Sequence, residues 1–228
     1  MMRNAVFSFR RLWLPLLLTV LLFTFCFGAA AYAEQSGNCD PEETSVTVKG
    51  GKYELDADKT HAVFTGAAKK SVTELVIQDK VKIGDKKYKV TVIKEGACSG
   101  LKKLKTLTIG AYVKTIEKDA FEDCTALKTV EGGAAVQTIG NEAFEDCKAL
   151  KSFTLGAKVK KIGDEVFNRC KKLATLIIKS EVLKSIGKDA FGHGPDCVTV
   201  TVPKDCASAY KKLLKKAGMT GKIILKKK

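Results

Sequence analysis

Histidine is nearly missing from this sequence of 228 residues, which contains only His61 and His193. Mechanisms that pair a histidine with a nucleophile, and metal sites with several histidine ligands, therefore have almost no residues available. The sequence also has no Gly-rich phosphate loop, no nucleophile elbow and no pair of metal ligands at a known spacing. We expect a protein that is not an enzyme, with no catalytic residue, no metal, no cofactor and no nucleic-acid partner.

Long hydrophobic runs are limited to the N-terminus. Three arginines precede an apolar run from Leu12 to Phe27, which small residues follow. This order predicts a secretory signal peptide over 1–33, cleaved between Ala33 and Glu34, although an uncleaved membrane anchor is an alternative for the same run. We expect a secreted or cell-surface protein with no membrane span after processing, and no sorting signal ties it covalently to a wall.

The remaining composition, 45% hydrophobic and 29% charged over the full sequence, is that of a globular protein. Within it, the block Thr115–Leu127 returns as Thr138–Leu150 at an offset of 23 residues. Less regular copies extend the repeat in both directions, giving five units at 90–112, 113–135, 136–158, 159–182 and 183–203. A unit of this length cannot bury its own apolar side chains, so the repeat predicts a solenoid of stacked units.

Each unit combines two patterns. A Leu-x-x-Leu-x-Leu segment alternates with period two and predicts a short strand in a parallel sheet. The Ala-Phe-x-x-Cys segment has helical spacing and predicts one turn of helix, with Ala143, Phe144 and Cys147 facing inward in the third unit. The neighbouring acids should lie outside: Glu142, Glu145 and Asp146.

The pattern Ile-Gly-x-x-Ala-Phe-x-x-Cys-x-x-Leu-x-x-Leu-x-Leu resembles the BspA-type leucine-rich repeat, which is common on secreted and surface proteins of host-associated bacteria and some protists. The resemblance covers 90–203, and its first and last units are atypical. It implies an α/β leucine-rich-repeat solenoid and adhesion or host-matrix binding of a general kind.

The segments that flank the repeats predict caps for the ends of the solenoid. We assign 34–50 to a flexible leader and 51–89 to an N-terminal β cap, with strands at 53–55, 62–64 and 75–77 and a hairpin at Gly84-Asp85. Residues 204–228 predict a basic C-terminal cap, with a helix from Ala207 to Ala217 and a strand at 223–225.

Seven cysteines remain after the predicted cleavage. Cys124, Cys147 and Cys170 recur at one repeat position and should form a buried column of free thiols, because side chains on adjacent parallel rungs point the same way. Cys197 stands at a repeat Leu position and should be core, although a bond to Cys206 is an alternative. Cys39, in the leader, should be the most reactive thiol.

Two other features invite functional readings. The acids Asp119, Glu142, Glu165 and Asp189 share a repeat position, but interleaved lysines favour a solvated face over a calcium site. His193 should be a surface residue in a loop at 192–195, where we place the one-residue expansion of the fifth unit.

The outward positions of the Leu-x-x-Leu-x-Leu strands form the candidate binding surface. One column is Thr106, Thr129, Ser152, Thr175 and Thr199, and the other is Thr108, Glu131, Thr154, Ile177 and Thr201. Lys105, Lys128 and Lys151 form a basic border. The preference of threonine for strands would produce the same columns without any function. The columns lack the aromatic platforms typical of sugar binding, which favours a protein or polyanion as partner.

The last 25 residues carry nine lysines against Asp205 alone. Lys211, Lys212, Lys215 and Lys216 lie on the predicted helix and are candidate residues for binding an anionic polymer. The leading hypothesis is a secreted, adhesin-like module that binds an extracellular protein. The alternative is a polyanion- or wall-associated protein that binds through this cap, whose lysines could equally be only an edge guard.

Overall fold

The computed structural model describes residues 43–227. The predicted signal peptide, its cleavage site and Cys39 lie outside these residues. Within them the strands are β1 (Ser45–Val48), β2 (Gly51–Leu55), β3 (Ala62–Ala67), β4 (Glu74–Val76), β5 (Lys80–Ile83), β6 (Lys86–Ile93), β7 (Thr106–Ile109), β8 (Thr115–Ile116), β9 (Thr129–Gly132), β10 (Thr138–Ile139), β11 (Ser152–Leu155), β12 (Lys161–Ile162), β13 (Thr175–Ile178), β14 (Ser185–Ile186), β15 (Cys197–Val202) and β16 (Lys222–Lys227). A 3-10 turn at Lys204–Cys206 leads into helix α1 (Ala207–Lys216).

Equivalent strands of successive repeats lie side by side and parallel. The two-residue strands β8, β10, β12 and β14 continue from β6 in one sheet. The Leu-x-x-Leu-x-Leu strands line another side of the solenoid, which we call the strand face, formed by β4, β7, β9, β11, β13, β15 and β16. Pairing at the repeat offset, such as Thr106 with Thr129 and Ser152 with Thr175, confirms the predicted solenoid.

One residue from each repeat builds a column of stacked rings inside the solenoid. Phe121, Phe144, Phe167 and Phe191 follow one another with ring centroids 5.2, 5.8 and 5.3 Å apart and interplanar angles of 14°, 9° and 17°. Phe144 and Phe167 also meet Phe153 of the strand face edge-on. All of these rings are buried, so the column provides continuous aromatic packing through four repeats.

The segment that carries these phenylalanines is not helical. The inward placement of Ala143, Phe144 and Cys147 is confirmed, but the segment consists of turns. We call this side of the solenoid the turn face; it comprises 119–124, 142–147, 165–170 and 189–194. The predicted helical turn is wrong because the backbone is left-handed twice in every repeat, at Asp119, Asp123, Glu142, Asp146, Glu165, Arg169, Asp189 and His193.

Because of the left-handed positions, alternate backbone amides donate hydrogen bonds to the next repeat instead of within their own turn. The amide of Asp119 donates to Asn141, that of Phe121 to Ala143, and that of Asp123 to Glu145, at 2.9–3.0 Å between nitrogen and carbonyl oxygen. The two following repeats are joined in the same way. The turn face is therefore stitched together by hydrogen bonds between rungs, as a sheet would be.

The N-terminal end of the described chain is an antiparallel meander of β1, β2 and β3, and β3 then pairs in parallel with β6. The predicted strands and the β5–β6 hairpin around Gly84-Asp85 are confirmed. Residues 45–48, which the sequence analysis placed in the leader, form strand β1 instead. They lie there because each of the four has a partner in β2.

The predicted helix and strand of the C-terminal cap are confirmed as α1 and β16. Tyr210 and Leu214 of α1 are buried, and β16 pairs in parallel with β15. The extra residue of the fifth unit does not lie at 192–195, because Ile186 follows Ile178 by eight positions whereas Ile162 follows Leu155 by seven. This bulge is anchored by Ser180, whose hydroxyl donates to Val159 (2.6 Å) and whose carbonyl accepts from the Tyr210 hydroxyl (2.9 Å).

Candidate interaction surface

The structure brings the predicted columns together on the strand face. Thr106 lies beside Thr129 and Thr108 beside Glu131, while Ser152, Thr175 and Thr199 follow one another on the other half of the face. Thr154, Ile177 and Thr201 form the matching column there. The inward residues between them, such as Leu107 and Leu176, are fully buried. These nine polar residues and Ile177 are the outward side chains of adjacent strands.

Exposure is greatest in the middle of this surface. Thr129, Glu131, Ser152 and Thr154 are exposed, whereas Thr106, Thr108, Thr175, Thr199 and Thr201 are half-buried. Within residues 43–227 none of the eight hydroxyl groups makes a side-chain hydrogen bond. Lys105, Lys128 and Lys151 are exposed beside them. The equivalent residue of the next repeat is Ala174, so the basic border ends there.

The exposed middle coincides with a break in the sheet. On either side of it, the amide of Thr129 donates to Lys105 and that of Thr175 donates to Lys151. Among the described residues no backbone hydrogen bond joins β9 to β11, so the strand face consists of two sheets. Alternation along a strand directs the backbone groups of Val130 toward β11 and those of Ser152 and Thr154 toward β9. These groups are left for solvent or a ligand, and we call the gap the β9/β11 cleft.

A glycine marks this cleft. Ile109, Leu155 and Ile178 are buried at the last position of their strands, and the same position in β9 is Gly132, which is exposed at a φ of 83°. A Cβ atom there would overlap the carbonyl oxygen of Ile109. Under the cleft lies a cavity of about 270 Å³ with Glu131, Thr154 and Lys179 at its rim. The cavity was not predicted from the sequence, although a glycine at a repeat Leu position signals it.

The candidate polyanion residues lie on the outer side of α1. Lys211, Lys212, Lys215 and Lys216 are all exposed, and none of them forms an ion pair within the described residues. Lys222, Lys226 and Lys227 of β16 are exposed as well. The structure therefore concentrates positive charge at the C-terminal end of the solenoid.

Comparison with known families bears on this arrangement. The model of the BspA type leucine rich repeat region matches residues 91–219 in six copies. The chain belongs to the BspA-type leucine-rich repeat family. The family model thus has one copy more than the five units that we counted, while the predicted family and fold class are confirmed. No curated protein matches the sequence of this BspA-type chain.

Solved structures share this fold at low sequence identity. A leucine-rich repeat protein of T. pallidum is 24% identical, with a TM-score of 0.61 over 70% of this chain and 72% of its own. The pneumococcal vaccine antigen PcpA is 20% identical, with a TM-score of 0.57 over 80% of this chain and 46% of its own. A leucine rich cell surface protein of Faecalibacterium prausnitzii is 23% identical, with a TM-score of 0.52 over 70% and 48%. The BspA-type chain spans less than half of the last two.

The cysteine column of this BspA-type solenoid is buried as predicted. The Sγ atoms of Cys124, Cys147 and Cys170 each donate to a carbonyl oxygen of the preceding repeat at 3.2–3.4 Å. Burial raises the pKa of Cys124 and Cys170 to about 12 and that of Cys147 well above its ordinary value. These thiols therefore stay protonated and unreactive at neutral pH.

Cys197 differs from the prediction. It is exposed at the start of β15, opposite Lys222 of β16, and not in the core. Relative to the repeat register, β15 begins two residues earlier than β13. At this end of the strand the inward side chain is therefore Val198, which is buried. Cys197 and Cys206 are both free thiols, so the alternative of a bond between them is not realised.

The acids of the turn face take part in ion pairs. In the column considered for calcium, Asp119 and Glu142 pair with Lys118 (3.1 and 3.6 Å) and Asp189 with Lys188 (3.8 Å). Glu165 accepts a hydrogen bond from Asn168 (2.8 Å). His193 is exposed, and its Nδ1 lies 3.0 Å from the amide oxygen of Asn168.

Glu145, which the sequence analysis placed outside, is buried. The Arg169 guanidinium lies 2.8 Å from both Glu145 and Asp146, which explains how an acid is accommodated there. Hydrogen bonding to Arg169 lowers the pKa of Asp146, while desolvation raises the pKa of Glu145 against the pull of Arg169. Glu122, Glu142 and Glu145 approach within 4.8 Å of one another, but Glu145 is already held by Arg169 and Asn168.

Among residues 43–227 no helix is long and apolar enough to span a membrane.

Proposed function

We propose that this chain is a secreted or surface-attached, non-enzymatic module that binds an extracellular protein, in the manner of an adhesin, through the strand face. The observation that carries the proposal is the row of outward hydroxyl groups without intramolecular partners, most exposed around the β9/β11 cleft. Protein surfaces that bind partners need polar groups free to pair and a centre from which water can be excluded.

The family and its relatives support the same conclusion. Repeat solenoids use a continuous face of equivalent positions for binding, because successive units present the same side chains in register. One related structure is named a cell surface protein and another a vaccine antigen. Export through the predicted signal peptide completes the proposal. N-terminal sequencing of protein from the culture medium should then begin at Glu34, and a cytosolic protein beginning at Met1 would argue against export.

The binding surface is tested with a double variant, Thr129→Arg with Thr154→Arg. Both side chains are exposed, so the free energy of unfolding should change by less than about 0.5 kcal/mol. Two arginines on either side of the cleft should nevertheless abolish capture of the protein partner that the parent retains from fractionated host extracellular proteins. The matched control is Thr44→Arg with Thr220→Arg, which adds the same charge at exposed positions off the strand face. Undiminished capture by the folded double variant would place the site elsewhere.

A second candidate function rests on the unpaired lysines of α1. Their charge should hold the protein on anionic polymers such as heparin or teichoic acid, with elution at rising salt because screening shortens the electrostatic range. Changing Lys211, Lys212, Lys215 and Lys216 to Gln should lower the eluting salt concentration. The control changes four exposed lysines of the repeats by the same total charge: Lys102, Lys103, Lys171 and Lys172. If both variants elute alike, retention depends on net charge and not on the cap.

A further inference from the structure

We propose that the β9/β11 cleft is a side-chain pocket that takes one branched aliphatic or aromatic residue of a peptide segment of the partner protein. This inference rests on the proposed function, because the cleft lies at the centre of the strand face. The outward residues of the two strands that border the cleft, Thr129, Glu131, Ser152 and Thr154, are the most exposed part of the candidate surface.

The pocket is a gap in the core, lined by apolar side chains together with backbone groups and the polar residues of its rim. Gly132 leaves empty the position that Ile109, Leu155 and Ile178 fill in other repeats. The walls are side chains of the neighbouring rungs, including Ile109, Val130, Val136, Phe153, Leu155 and Val159. Val130 is only half-buried, whereas Leu107 and Leu176 at the equivalent positions are fully buried, because one side of Val130 faces this space.

The volume selects the size of the occupant. A cavity of about 150 Å³ lined by aliphatic and aromatic side chains stays dry and holds a benzene molecule, whereas sites for whole cofactors and drug-sized ligands begin at about 300 Å³. The cavity under the cleft, about 270 Å³, lies between these values. It therefore fits a single leucine-, isoleucine- or phenylalanine-sized group and not an oligosaccharide.

The rim selects a peptide over a simple hydrocarbon. The unpaired backbone groups of Val130, Ser152 and Thr154 need hydrogen-bond partners, and burying them without partners would be costly. A peptide offers amide donors and acceptors on either side of an apolar side chain. Glu131 and Lys179, also at the rim, present opposite charges to the termini of the peptide or to the polar residues that flank its apolar side chain.

A whole strand cannot enter the cleft. Cα atoms of β9 and β11 lie within 8 Å of each other. Inserting a strand between them would require a separation of about 9.6 Å, twice the spacing of neighbouring strands. The side chain therefore enters, while the main chain of the peptide stays at the rim.

The test uses small side-chain analogues as probes: N-acetyl-leucinamide, N-acetyl-phenylalaninamide and, as the control ligand, N-acetyl-glycinamide. The methyl resonances of Ile109, Val130 and Leu155 report binding in isotope-labelled protein containing residues 34–228. Burying a Leu- or Phe-sized group should make the first two ligands bind about 10–100-fold more tightly than the glycine analogue. Equal affinity of all three ligands, or no shift of these methyl groups at any soluble concentration, would overturn the pocket.

The matched variants are Val130→Phe and Val182→Phe. The first should fill the cavity, since the next rung already holds Phe153 in the same column, and should abolish the methyl shifts. The second makes the same change at a position that is 47% exposed and outside the cavity lining, so binding should persist. If Val130→Phe does not fold, Val136→Phe, which places a ring at another residue of the cavity wall, replaces it. Unchanged probe binding in a folded, filled variant contradicts the proposal.

The outcome also separates this inference from the proposed function. Loss of partner capture in the Thr129→Arg, Thr154→Arg variant without any probe binding in the parent would retain the strand face as the interaction surface and reject the pocket. Probe binding that Val130→Phe abolishes, with partner capture reduced in the same variant, supports both. Probe binding in a protein that captures no extracellular protein supports the pocket and counts against the proposed function.

Discussion

On the turn face, four phenylalanines stack without interruption from Phe121 to Phe191 and backbone hydrogen bonds cross every junction between them. On the strand face, the hydrogen-bonded ladder stops between β9 and β11. The same two rungs are therefore tightly joined on one side and open on the other. The difference shows that this solenoid obtains its continuity from the turns and can leave a gap in the sheet.

The physical reason lies in what each position of the repeat contains. At the phenylalanine position the second and third units both keep a large ring, Phe121 and Phe144, so each rung fills the space beside its neighbour. At the last strand position one unit has Gly132 and loses both the apolar side chain and the regular strand backbone. A repeat protein tolerates such a local loss because each rung is also held by its other contacts with the same neighbours.

The strongest test of the comparison is removal of a ring from the turn face. Phe144→Ala should lower the free energy of unfolding by about 3–5 kcal/mol, since Phe144 is fully buried between two stacked rings. Val130→Ala, at the open cleft, should cost only about 1 kcal/mol, because Val130 is half-buried and borders a cavity. Denaturant unfolding of both variants gives the two values, and equal losses would remove the distinction between the faces.

Hydrogen exchange should sharpen the comparison within one strand pair. Thr154 of β11 and Ile177 of β13 are register partners, but only Ile177 has a ladder partner on the side that its amide faces. The amide of Thr154 should therefore exchange at least about 100-fold faster than that of Ile177. Amide exchange followed by NMR measures both rates. Similar protection at the two positions would mean that β9 and β11 are paired in solution.

A third test concerns the ion pairs that accommodate an acid in the turn face. Arg169→Gln should cost about 1–2 kcal/mol near pH 7, a modest value because Arg169 is 44% exposed. Arg169 holds the pKa of Asp146 below its ordinary value, so the stabilisation is present above the unfolded-state pKa and is lost as the pH falls through the folded one. The variant and the parent should therefore converge in stability on acidification. A loss that is independent of pH would show that Arg169 acts only through packing.

The smallest expected loss is that of one buried thiol. Cys147→Ala should cost about 1–2 kcal/mol as a small cavity, whereas Cys197→Ala, at an exposed position, should change stability by less than about 0.5 kcal/mol. Because burial raises the pKa of the Cys147 thiol, a thiol reagent should label Cys197 quickly and Cys147 only after unfolding. Rapid labelling of Cys147 in the native protein would contradict its place in the core.

Much of the fold could be predicted because repetition makes each position visible several times. Period and spacing predict the inward side of Cys124, Cys147 and Cys170. They also predict the outward columns of the strand face and the caps at both ends. The turn face could not be predicted in the same way. Its helical spacing is real, but the left-handed residues that break the helix include Glu142, Glu165 and Arg169, which rarely adopt that conformation without tertiary support.

The sequence by itself determined the family, the stacking direction and the sides of most repeated residues, since a period of 23 residues aligns equivalent side chains whatever their detailed geometry. Only the tertiary structure decided that Glu145 is buried under Arg169, that Cys197 is exposed, and that the strand face opens at Gly132. Each of these outcomes depends on what the adjacent rung places next to a residue. Contacts between rungs contribute packing and pairing energies. The residue pattern within one repeat does not specify these contacts.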